Sequence, residues 1–249
     1  MSPSLLRWAL PGVAAFLLVL LVRLPAAWLL PLLPSALTCT APEGTVWNGR
    51  CMGMQLRTGA PDQALALDRV GWVLRPTALL RGRLAAQLQL ARAGGEASGL
   101  VSWRPRSLQV DALSGRLPMD RQLAPMLPAG WQGQLLADEL SFTVEGGRIA
   151  RLQGMAGVQQ LQDAQGTALG SYELKFAADP AGPPFAGQLH DSGGPLSVQA
   201  AVRVEPQGAW QVDGRVAPRA DAAPGLVKQL RLLGLPAADG SYPFSLAGE

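Results

Sequence analysis

The chain has 249 residues, enough for one large domain or two small ones, and at 48% hydrophobic and 16% charged it can build a core, which excludes a disordered charged tail. Its net charge of +3 comes mostly from arginines scattered along the chain, so the basic stripe of a nucleic-acid binder is missing. One His and two Cys are too few ligands for most zinc or haem centres, and no cofactor is expected.

Arg7 precedes an uninterrupted apolar run from Trp8 to Val22; Arg23 breaks it, and Leu24 to Leu37 continue it with Pro25, Pro31 and Pro34. As a helix, Leu5 to Leu24 has the roughly 20 residues needed to cross a bilayer core. Arg23 can snorkel at the far end, and Trp8 and Trp28 fall where interfacial aromatics belong. Gly12, Ala14 and Ala15 offer small residues for packing against a partner helix. Arg7 and the amino terminus keep the short tail cytoplasmic, so the remainder is exported. The division expected is a tail over 1–7, an anchor over 8–28, a Pro-rich linker over 29–44 and a β-domain over 45–249. A cleaved signal peptide competes but lacks a small-x-small site. A lipoprotein signal ending at Cys39 competes too, but Thr38 is too large for the position before it.

Cys39 and Cys51 lie beyond the span and close together, which suggests a disulfide in an oxidising compartment. The bland alternative is two buried thiols. Their spacing is not that of a catalytic redox pair.

From there on, period two dominates. Leu84, Ala86, Leu88 and Leu90 alternate with Arg83, Ala85, Gln87 and Gln89. The same holds for Tyr172, Leu174 and Phe176, for Leu196 through Val204, and for Trp210 through Val216. Each run reads as a strand with one dry face, and Gly94-Gly95, Gly146-Gly147 and Gly193-Gly194 fall between runs as turns. Gly followed by Arg or Gln and then Leu or Val recurs at Gly82, Gly115, Gly133, Gly187 and Gly214, where strands are expected to enter through a bend or bulge. Two short helices are predicted, Asp120 to Leu127 and Asp221 to Leu233, the latter with Leu226, Val227, Leu230 and Leu233 on one face. The fold class is therefore all-β: a curved, largely antiparallel sheet, groove or sandwich, behind one membrane helix.

Asp191-Ser192-Gly193-Gly194-Pro195 matches the nucleophile string of trypsin-like proteases. The one imidazole, His190, is tethered two residues from Ser192, too short for a relay, so a turn is the better reading and no catalytic residue is assigned. Asp138 and Glu139 are neighbours on a strand and point to opposite faces, so they do not form an acid pair. Trp47, Trp72, Trp103, Trp131 and Trp210 read first as core packing. Trp47, Trp72 and Trp103 are also candidate anchors for a partner subunit, with Trp47 preferred because its turn-rich setting could project it.

Several segments, taken in order, carry a resemblance. They are Gly44-Thr45-Val46-Trp47-Asn48-Gly49, Gly71-Trp72-Val73-Leu74-Arg75-Pro76, Leu79-Leu80-Arg81-Gly82-Arg83-Leu84, Leu113-Ser114-Gly115-Arg116-Leu117-Pro118, Gly193-Gly194-Pro195-Leu196, Leu232-Leu233-Gly234 and Asp239-Gly240. Together they resemble the type II (general) secretion pathway protein N family. The resemblance implies a single-pass accessory subunit of the bacterial inner membrane, with no catalytic residues. It would partner other inner-membrane platform subunits and the outer-membrane secretin in exporting folded proteins. The alternative is a periplasmic lipid-binding bridge-like protein whose apolar sheet face lines a groove.

Overall fold

The computed structural model describes residues 12–13, 15–17, 19–32, 35–57, 64–119, 130–177 and 182–248. They fall into two compact units, Met1–Ala91 and Arg92–Glu249.

The first unit opens with helical residues at 12–13, 15–17 and 19–22, followed by a 3-10 helix, Ala26–Leu32. Strands β1 (Leu37–Gly44), β2 (Asn48–Arg57), β3 (Ala64–Leu74) and β4 (Leu84–Arg92) form an antiparallel meander, with the one-turn helix α1 (Pro76–Leu79) between β3 and β4. No helix among the described residues is long and apolar enough to cross a membrane. The stretch 29–44, expected as a linker, instead carries the end of the 3-10 helix and all of β1. Pro42 does not prevent this, because β1 is an edge strand and an edge tolerates a missing N–H.

The second unit is a meander of its own, built from β5 (Gly95–Arg104), β6 (Ser107–Pro118), β7 (Gln132–Glu145), β8 (Arg148–Gln162), β9 (Ala168–Phe176), β10 (Phe185–Gly193), β11 (Leu196–Val204), β12 (Trp210–Pro218) and β13 (Tyr242–Gly248). Every successive pair is antiparallel. In β11 the period is clean: Leu196, Val198, Ala200 and Val202 are buried while Gln199, Ala201 and Arg203 are exposed. Each fully buried valine or leucine contributes about 1.5–3 kcal/mol from leaving water, so a one-residue slip of β11 would forfeit that burial along the whole strand. Gly146 and Gly147 close the β7–β8 hairpin with φ of 55° and 81°, the two positive values that a type I′ turn demands.

Of the glycines expected at bends, Gly115 and Gly133 do lie at register shifts. Gly187 and Gly214 sit in regular register. What they supply is room: a Cβ at Gly214 would come within 2.3 Å of the Ala200 Cβ.

Between β12 and β13, helix α2 spans Pro224–Leu230 and tightens into a 3-10 turn, Arg231–Leu233, shorter than the predicted 221–233. Pro224 starts it, since its missing N–H is an orphan there anyway. Leu226 and Leu230 are buried against Leu196, Val198, Val216 and Tyr242, filling that part of the apolar sheet face. Leu233 was expected on the same stripe but is exposed, because the change to a tighter winding rotates it away. The predicted helix over 120–127 lies outside the described residues.

Candidate functional site

The most heavily connected feature of the first unit is the junction between the apolar helix and the sheet. The last carbonyls of a helix have no partner inside it. Here Arg23 N–H donates to the Val19 carbonyl (2.9 Å), and the β1–β2 turn supplies two further donors. Val46 N–H donates to the Leu24 carbonyl (2.9 Å), and the Trp47 indole Nε1–H donates to the Leu21 carbonyl (2.8 Å). Pro25 and Thr45 add an isolated antiparallel bridge.

The turn is in turn fixed to β3. Trp72 Nε1–H donates to the Val46 carbonyl (2.9 Å), and Leu74 N–H donates to the Trp47 carbonyl (2.7 Å). The Trp72 ring lies over Gly49, where a Cβ would come within 2.6 Å of the Trp72 Cζ2 atom, so only glycine fits below the indole. Cys39 and Cys51 form a disulfide with Cα atoms 5.9 Å apart, tying β1 to β2, and Cys51 is wholly buried. The Arg50–Glu43 pair (2.7 Å) beside it is exposed and adds little.

This geometry changes the expectation for Trp47. Its side chain is half-buried and its N–H is committed to Leu21, so it holds the end of the apolar helix instead of projecting from the sheet. Trp72 is half-buried in the same cluster. Trp103, in β5 of the second unit, is 56% exposed and pairs across strands with the exposed Leu108. Gly12 and Ala15 are helical and exposed, with open space around a Cβ at Gly12; Ala14 lies outside the described residues. Along the same helical residues Val13, Phe16, Leu17, Val19, Leu20, Leu21 and Val22 are all between 46% and 66% exposed, so apolar side chains face outward on every side.

Comparison with known families decides the kinship. The family model described as type II secretion system (T2SS), protein N matches residues 35–245, most of the chain. The chain belongs to that family. Among curated proteins and solved structures, none matches it. A T2SS protein N is a component of type II secretion, and the matched region takes in β1 through β12, the disulfide and both tryptophans of the junction.

In this T2SS protein N the protease-like string is a strand connection. A bulge falls between Asp191 and Gly193, and Ser192 points to solvent. Asp191 accepts from the Val198 amide (2.7 Å) and pairs with the Arg219 guanidinium, which also donates to the Gly194 carbonyl (2.8 Å). Burial alone would raise the Asp191 carboxyl, but the Val198 amide and Arg219 together outweigh it and hold it below the usual carboxylate range. Burial, with Asp191 adding to it, pushes the neighbouring Tyr172 hydroxyl up to about 12. His190 turns away to Glu173 (3.4 Å), on the outward face. The string's acid therefore holds a loop through Arg219, a partner that sequence reasoning missed because it lies 28 residues away. No cluster of three metal-ligating side chains occurs among the described residues.

Proposed function

We propose that this T2SS protein N is a bitopic inner-membrane assembly subunit. Its amino terminus is cytoplasmic and its β-units are periplasmic. It acts by contacts with other platform subunits and the outer-membrane secretin rather than by catalysis. The observation that carries this reading is the helix whose apolar side chains face outward all round and whose end is fastened to the sheet by Trp47 and Val46. In water such a helix would expose its whole apolar surface; in lipid that surface needs no cover. The Cys39–Cys51 disulfide supports placing the sheet on the oxidising side.

The test is a reporter enzyme fused to the carboxyl end, combined with crosslinking in native membranes from cysteines beside the junction. The reading expects activity on the periplasmic side and adducts with secretion subunits. A reporter active only in the cytosol, or membranes that yield no secretion subunit, would remove it.

A further inference from the structure

Antiparallel pairing puts the β1–β2 turn and the β3–β4 connection at the same end of the first sheet. That is the end to which Leu21 and Leu24 are bonded. The connection leaves from Leu74, whose amide is bonded to Trp47, and returns by Arg75 N–H to the Ala85 carbonyl (2.8 Å). It is tightly wound: Ala78 donates to Arg75 O, Arg81 and Arg83 to Ala78 O, and Gly82 to Leu79 O. Ala78 is buried beneath it.

A turn this well bonded presents its side chains in fixed directions. Leu80 is 89% exposed, and Leu79 in the same turn and Val73 and Leu84 at the strand ends that flank it are also exposed. Around them stand Arg75 and Arg81, both exposed, and Arg83, whose Nε is buried without a hydrogen-bond partner. None of these three arginines has a carboxylate partner among the described residues.

We propose that the β3–β4 connection is a second membrane contact. Leu79 and Leu80 enter the leaflet from which the helix emerges, and Arg75, Arg81 and Arg83 meet the phosphates of anionic lipids. This rests on the anchor reading above, because the helix end sets where the bilayer surface lies. A protein partner fits less well: a single turn covers far less than the roughly 1,000 Å² that a stable protein interface needs. A lipid surface asks only for an apolar tip with basic flanks, and the helix already holds the tip at high local concentration. With two attachments the sheet has a fixed tilt on the bilayer.

The test uses the full chain reconstituted into vesicles of phosphatidylcholine, alone or mixed with phosphatidylglycerol. An environment-sensitive fluorophore is placed on Leu80→Cys, Phe16→Cys or Gln55→Cys, with the native disulfide left oxidised. Quenching by lipids spin-labelled at the headgroup or deep in the chains reports depth. The expected result is deep quenching at 16, shallow quenching at 80 and none at 55. Arg75→Gln/Arg81→Gln/Arg83→Gln should weaken the contact at 80 in the mixed vesicles by about fivefold per arginine removed. A label at 80 that stays in water while 16 is quenched overturns the proposal and leaves the anchor standing. Labels in water at both positions overturn the anchor and the proposal together. A label at 80 shielded only when secretion subunits are added assigns the leucines to a protein groove and refutes the lipid contact. Unchanged quenching in the triple variant refutes the role of the arginines.

Discussion

Trp47→Phe isolates what the indole N–H does at the junction, because phenylalanine keeps an apolar ring and deletes the donor. The bond lost is 2.8 Å long. It leaves the Leu21 carbonyl with only the Leu24 amide at 3.5 Å, the outer limit of a hydrogen bond. Losing one neutral bond costs ~1 kcal/mol where water can replace the donor, and about 1–3 kcal/mol where it cannot. At the low end, detachment of the helix end from the turn rises about fivefold. Spin labels on Leu20→Cys and Gln55→Cys span the junction, and pulsed electron resonance reads their distance distribution. The distribution should be narrow with Trp47 and broadened, with a second longer population, in Trp47→Phe. If it stays unchanged in Trp47→Phe yet broadens in Trp47→Ala, the ring and not the N–H holds the junction, and the reasoning fails.

Other outcomes follow from the same structure. Cys39→Ala/Cys51→Ala should lower stability by about 3 kcal/mol for a loop of this length, read as the urea midpoint of the full chain, with faster hydrogen exchange confined to the first unit. Arg219→Ala should cost about 1.5–3 kcal/mol, since it leaves Asp191 with the Val198 amide alone. Because the folded Asp191 carboxyl lies below its unfolded value, its contribution is present above about pH 4 and is lost as pH falls through the folded value. Asp191→Asn should therefore flatten the acid limb of stability against pH. Tyr172 runs the other way: its raised value makes its contribution whole below about pH 10 and lost as pH rises through about 12, so the phenolate absorbance missing from Tyr172→Phe should be the late-titrating part. Ser192→Ala should change neither stability nor secretion, as Ser192 lies exposed on a bulge.

What could be read from the chain follows from where the signal is local. The strand over Leu196–Val204 and the Gly146-Gly147 turn were legible because period two and a glycine pair are properties of adjacent residues. The long strands β7 and β8 were not singled out, because their register shifts at Asp138/Ser141 break the alternation, with Glu139 at φ 48°. β1 was hidden by Pro42 and by the prolines that precede it, which look like a linker until the strand is known to lie on an edge. The disulfide was foreshadowed by two cysteines beyond an apolar leader. The tryptophans were legible as important but not in role. That Trp47 caps a helix depends on Leu21, 26 residues earlier, and nothing local announces that contact. The Asp191–Arg219 pair was invisible for the same reason.

The cystine also decides how the first unit would bear a pull. Tension drawn along the apolar helix loads the bonds of Trp47 and Val46 to its end and, past them, the start of β1, which it can peel only as far as Cys39. There the load crosses the sulfur bridge into Cys51 and enters β2 directly, so the segment Thr40–Arg50 goes slack. Once the bonds of Trp47 to Leu21 and of Val46 to Leu24 give way, the turn that carries them lies outside the force path, and its bonds to Leu74 and Trp72 can persist while the strand before it is stretched.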